Sequence, residues 1–296
     1  MPDRVIRVAA TIAAAIVLFV IVWVGLVHHH KAILNPAASS SIKDSSGQTA
    51  DLIVKMTKEE AVGKAQGILS QLSINPGTLQ KAEIMNDPVT LNEYWSVRFA
   101  GASVCIDPVS RTVFEVDDFP RDNLSSSKFI INDTAGAQKA AQEIYSKLQA
   151  PSEYKLIGVE KSHSGDFWST FWAKEVIPGV FSKYESVNLL LSSDTGKLRS
   201  YRLFNTPARS LKEKVTEEQA VEIARPIAEA KGFKTFVNAR LDVEQANNYW
   251  SSQGPSERPD YCTLVWVVTF KDSHGSMALF YVDALTGSVI GGDQTQ

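Results

Sequence analysis

Asp194-Thr195-Gly196 spells the catalytic turn of an aspartic protease. That chemistry needs two aspartates facing each other across a shared proton, so that like-charge proximity splits their pKa values. The chain holds no second Asp-Thr-Gly or Asp-Ser-Gly, and this one is flanked by Ser192, Ser193 and Lys197 rather than by apolar residues. Other reactive groups are sparse. His163 and His274 lie beside glycine in polar stretches, His-Ser-Gly-Asp and Ser-His-Gly-Ser, where a solvated turn histidine competes with a catalytic one. His28-His29-His30 offer imidazoles to a metal, but no second ligand cluster completes a site, and they read as a polar flank. Cys105 and Cys262 permit one disulfide in an exported protein. Both sit in apolar, strand-like runs, SVCID and YCTLVWVV, where two buried thiols are the alternative. The zinc helix His-Glu-x-x-His, the phosphate loop, the Gly-x-Ser-x-Gly elbow and Cys-x-x-Cys are all absent. The expectation is a chain without catalytic, metal-binding or cofactor-binding residues.

The elements that would position any site begin with an apolar segment. Val8 to Val27 is twenty residues without a charge, about 30 Å as a helix, the thickness of a bilayer's hydrocarbon core. A signal peptide's apolar region is shorter, and the sequence after Lys31 lacks a clean small-x-small cleavage site, so an uncleaved anchor is expected. Arg4 and Arg7 precede the span and Lys31 follows it, which favours a cytoplasmic N-terminus and an extracytoplasmic body. The net charge of −3 argues against a nucleic-acid binder held by phosphate contacts. Residues 35–50, rich in Ser, Ala, Gly and Asp, read as a flexible tether.

Beyond the tether the chain repeats itself. Thr57 with Glu60, and Thr216 with Gln219, form capping boxes at helix starts, and Asp133-Thr134 opens a weaker version. Pro226 is expected to kink the third helix or mark an irregular turn in it. Each helix precedes alternating strands, one of which carries a tryptophan with an aromatic four residues later: Trp95/Phe99, Trp168/Trp172 and Trp266/Phe270. Each copy ends in a hairpin, at 105–113, 190–198 and 281–289. Aligned on the turn, Asp283 falls on Asp107 and Ser192, while Thr286-Gly287 falls on Thr195-Gly196 and Ser110-Arg111. Asp107, Asp194, Thr195, Gly196, Asp283, Thr286 and Gly287 therefore read as chain-reversing residues, and Arg111 must change the turn type or adopt a strained φ.

This ordered trio of capped helix, Trp/aromatic strand and Tyr-Val-Asp-x-x-Thr-Gly-x-Val hairpin resembles the PepSY superfamily, most closely over 216–232 with 264–290. The resemblance implies an α+β fold. An N-terminal transmembrane helix would precede three tandem PepSY-like units, each a helix packed on an antiparallel sheet. The corresponding boundaries are 1–31 for the cytoplasmic tip and anchor, 32–50 for the tether, and 51–122, 123–207 and 208–296 for the units. It also implies an exported or membrane-attached setting and a role in inhibiting, chaperoning or localising peptidases and cell-wall hydrolases, with no shared catalytic residues to carry over. The third copy inserts residues 245–260 before its tryptophan strand, where Tyr249-Trp250 either anchors a partner or folds back over its own sheet. Phe181 and Tyr184 in the extended hairpin 174–186 pose the same choice. The function expected is non-catalytic binding of an extracytoplasmic peptidase or cell-wall hydrolase. The alternatives are a scaffold for a small ligand or peptidoglycan, and a hydrolase using His163 or His274.

Overall fold

The computed structural model describes residues 55–86, 92–119, 130–247, 249–250 and 262–295. Among the described residues three helices, α1 (Lys58–Gln71), α2 (Thr134–Lys147) and α3 (Glu217–Ala230), are each followed by four strands. The first set is β1 (Leu79–Asn86), β2 (Glu93–Phe99), β3 (Ala102–Ile106) and β4 (Val113–Asp118). The second is β5 (Lys155–Lys161), β6 (Phe167–Ile177), β7 (Val180–Ser192) and β8 (Leu198–Asn205). The third is β9 (Thr235–Gln245), β10 (Cys262–Lys271), β11 (Met277–Asp283) and β12 (Val289–Thr295).

The helices share one construction. Thr57, Asp133 and Thr216 are the N-caps, each accepting the backbone N–H three residues on, and the two threonines close full capping boxes. Four and eight residues after each cap lies a fully buried alanine: Ala61 and Ala65, Ala137 and Ala141, Ala220 and Ala224. That spacing puts the pair on one helical face, and the small side chains let the helix axis approach the sheet closely. Each helix stops in the same left-handed residue, Ser73, Gln149 or Gly232, after which Ile74, Ala150 and Phe233 donate back to Leu69, Tyr145 and Ala228 carbonyls. Helix α3 continues past exposed Pro226 to Ala230.

The first two meanders do not form separate sheets. Strands β4 and β8 pair antiparallel, giving one eight-stranded sheet in the order β1-β2-β3-β4-β8-β7-β6-β5. Helices α1 and α2 contribute to a single core with Trp95, Val97, Phe99, Trp168, Trp172, Leu189 and Tyr201, so both lie on the same face of it. The first two units thus share one sheet, built by joining two edges that would otherwise have been open.

The third meander is a separate four-stranded sheet, β12-β11-β10-β9, with α3 over a second core of Leu264, Trp266, Val268, Phe270, Phe280 and Val282. The long β6–β7 hairpin reaches this core with Val176, Ile177, Val180 and Tyr184. At that joint Lys183 donates to Glu244 at 2.7 Å, and the Tyr184 hydroxyl donates to the other Glu244 oxygen at 3.2 Å and accepts from Gln245 N–H at 3.1 Å. Tyr184 therefore joins the two bodies. Burial alone would push the Lys183 ammonium down, but the Glu244 carboxylate, with Asp242 behind it, outweighs this and keeps the amine protonated.

The expected anchor (8–27), the His28-His29-His30 run and the tether lie outside the described residues. Among the described residues no helix is long and apolar enough to cross a membrane. Cys105 and Cys262 are both free and buried, the two-thiol alternative.

Candidate binding surface

The three terminal hairpin turns superpose in hydrogen-bond pattern. Arg111, Gly196 and Gly287 donate to the Asp107, Ser192 and Asp283 carbonyls at 3.0, 2.9 and 2.9 Å. All three sit at positive φ, 62°, 66° and 76°. Asp107 and Asp283 each accept two backbone N–H groups inside the turn, whereas in the middle copy Ser192 Oγ bonds the Asp194 carboxylate. The turns then clasp the helix entries. Met56 donates to the Pro108 carbonyl, Ile130 and Ile131 to Ser193, and Lys214 and Val215 to Ala284. From the sheet side, the indole N–H groups of Trp95, Trp168 and Trp266 donate to the carbonyls of Met56, Ile131 and Val215, at 3.0, 3.3 and 2.7 Å. Asp194-Thr195-Gly196 is thus part of a clamp on the start of α2, and its carboxylate is taken up within the turn.

The remaining reactive candidates are dispersed. His163 lies exposed in the β5–β6 turn and His274 exposed in the β10–β11 turn, on different sheets. Asp272 accepts the backbone N–H groups of His274 and Ser276, the usual work of an aspartate in a tight turn. Burial pushes the Cys105 thiol up to about 12 and the Cys262 thiol up to about 11, so neither supplies a thiolate at neutral pH. Among the described residues no group of three or more His, Cys, Asp or Glu side chains could hold a metal ion.

On the face of the large sheet away from the helices, register aligns Ser96, Cys105, Glu115, Arg202, Asn188 and Phe171 in one row across the β4–β8 seam. Arg202 donates to both Asp117 oxygens at 3.2 Å and lies 3.0 Å from Glu115, while Arg199 donates to Asp118 at 3.3 Å. Burial raises the Glu115 carboxyl to about 7, with Arg202 opposing the shift and Asp117 adding to it. The two arginines are occupied by carboxylates of the other half-sheet, so this cluster is a seam rather than an anion site.

The inserted loop supplies the most distinctive exposed feature. Trp250 takes the sheet-covering alternative: its indole donates to the Leu279 carbonyl at 2.7 Å, and its ring stacks on Phe280 at 4.7 Å and meets Phe233 edge-on at 6.4 Å. A Cβ at Gly292 would collide with that indole and with the Leu279 carbonyl oxygen, so the glycine makes the ring's seat. Asn247 binds the edge strand beside it, accepting the Gly292 N–H at 2.9 Å and donating to the Gly292 carbonyl at 2.7 Å. Of the two roles open to Trp250, covering its own sheet is the one its contacts show. Tyr249 stands on top of it, 4.7 Å between centroids and nearly perpendicular, with 51% of its surface exposed. Asn247 and Gly292 escaped the sequence reading; the only signal was an unusual Gly-Gly pair in a strand.

No family model matches the chain, and no curated protein matches it. Among solved structures the chain is similar to the Bacillus megaterium YpeB C-terminal domain, with a TM-score of 0.44 and 12% sequence identity over 82% of this chain and 99% of that one.

Proposed function

We propose that this chain is a non-catalytic, membrane-anchored protein of three PepSY-like units, whose extracytoplasmic body binds a peptidase or cell-wall hydrolase and regulates or localises it. The observation that carries the reading is Tyr249, an exposed ring held on an indole that is itself hydrogen-bonded and stacked into the sheet. An aromatic already immobilised before encounter loses little conformational entropy on binding, which suits a protein-interface anchor. The span at 8–27 and the tether that follows it support the setting. The hairpin aspartates support the absence of catalysis, because turn and clamp geometry occupy them.

A photo-crosslinker placed at Tyr249 in living cells tests the proposal. The expected product is a cross-link to an extracytoplasmic peptidase or cell-wall hydrolase, and Tyr249→Ala should weaken that complex by about tenfold or more. Cross-links to cytoplasmic proteins alone would refute both the orientation and the role. Hydrolysis by the purified chain that disappears in His163→Ala or His274→Ala would refute the non-catalytic assignment.

A further inference from the structure

Among the described residues the two sheets present four edges, each with some guard. Asn247 covers β12 through the Gly292 backbone, and the β6–β7 hairpin meets β9 through Lys183, Tyr184 and Glu244. Strand β5 begins and ends in lysine and carries a bulge between Leu156 and Gly158, the usual defences against edge-to-edge pairing. Strand β1 differs. Among the described residues it is paired on one side only, to β2, and it carries three large exposed apolar side chains, Leu79, Ile84 and Met85, at 44%, 45% and 40% exposure.

The order of residues along β1 is self-complementary. Place a second β1 antiparallel beside it with Ala82 opposite the copy's Ala82. Lys81 then falls opposite the copy's Glu83, and Glu83 opposite its Lys81, on the face away from the helices shared with Arg98 and Ser96. The bulge between Leu79 and Lys81 inserts one residue, so counting through it brings Ile84 opposite the copy's Leu79. Both of those side chains lie on the helix face, across from Trp95 and Phe99. The smallest side chain sits on the two-fold axis, opposite charges flank it, and apolar pairs close both ends. A two-fold pairing of this kind is isologous and closed, so it stops at two copies.

We propose that β1 is a homodimerisation edge, joining the eight-stranded sheets of two copies about a two-fold axis at Ala82. Lys81 and Glu83, which pair with each other at 2.6 Å within one strand, exchange partners across the axis when the dimer forms. Directly opposed unlike charges favour this register, and like charges there disfavour it.

Two experiments on the full chain, solubilised in mild detergent, test this. Ala82→Cys should give a disulfide-linked dimer on mild oxidation, whereas Gln80→Cys, whose two copies would stand about 10 Å apart along the strands and beyond disulfide reach, should not. Equal cross-linking of both variants, or of neither, overturns the proposal. Lys81→Glu and Glu83→Lys should each raise the dimer dissociation constant by about tenfold or more, since each places like charges across both symmetric pairs. Mixing the two single variants restores opposite charges at every pair and should restore association to near the unmodified level. A loss that mixing does not rescue, an unmodified chain that stays monomeric, or a β1 edge occupied instead by a strand of another protein would each overturn it.

Discussion

At Arg111 an ordinary side chain occupies the left-handed backbone that Gly196 and Gly287 supply in the equivalent turns. The turn type is kept, so the missing glycine appears as strain. Arg111→Gly should raise stability by about 0.5–1 kcal/mol, slightly reduced by loss of the exposed pair with Glu60. Gly287→Ala should lower it by about 1–2 kcal/mol, because the new Cβ would also stand 3.3 Å from Ile223. Urea unfolding of the two variants checks the opposite signs. Glu115 makes a pH prediction at the same scale. Its folded carboxyl is raised from 4.5 to about 7, so between those values the folded state holds a proton that the unfolded chain has released. Stability should therefore fall as pH rises through that window and level off above it. Glu115→Gln should flatten the dependence of the melting temperature between pH 5 and 8; an unchanged slope would place the titration elsewhere.

Each helix is held at its entry by a cap, a turn carbonyl and an indole N–H, and along its length by an alanine stripe. These parts act together because each satisfies or approaches the first turn, where four backbone N–H groups lack intrahelical partners. Trp266→Phe keeps most of the ring's burial but leaves the Val215 carbonyl without the indole, and should cost about 1–3 kcal/mol in thermal or chemical unfolding. A loss below 0.5 kcal/mol would mean that the indole bond adds little to the turn's clasp. The caps, the alanine spacing and the Trp/aromatic period are local patterns, which is why three copies are legible without coordinates. The second copy, with Asp133 in place of threonine and no acidic residue in its first helical turn, shows how far the pattern can drift while the geometry persists.

For the whole molecule the decisive contacts are the β4–β8 seam and the β6–β7 joint. Glu244 has an 8% exposed side chain beside the 31% exposed Lys183, so removing the acid leaves a largely enclosed ammonium and a Tyr184 hydroxyl whose proton has lost its acceptor, though it still accepts from Gln245. Glu244→Ala should cost about 2–4 kcal/mol, the lower end reflecting the solvent that still reaches Lys183. Removing the exposed Glu222 partner of Arg225 should change stability by less than about 0.5 kcal/mol. Denaturation followed by tryptophan fluorescence distinguishes the two, and a small effect at Glu244 would assign the joint's stability to Val176, Ile177 and Val180 instead.

By itself the sequence determined where the chain turns, which residues cap and which faces are apolar, because each depends on neighbours within one or two turns of helix or one hairpin. It also marked Asp194-Thr195-Gly196 as a reversal, through comparison with residues 107–111 and 283–287. Tertiary structure alone decided that two meanders share a sheet, since β4 and β8 show the same alternation whether paired or open, and their contacts join residues 81 and 85 apart. It decided as well that Trp250 lies down and Tyr249 stands up. The space for one indole is made by Gly292 and the Leu279 carbonyl, more than twenty-five residues along the chain. Which aromatic of a pair meets solvent depends on that distant space, and no local pattern encodes it.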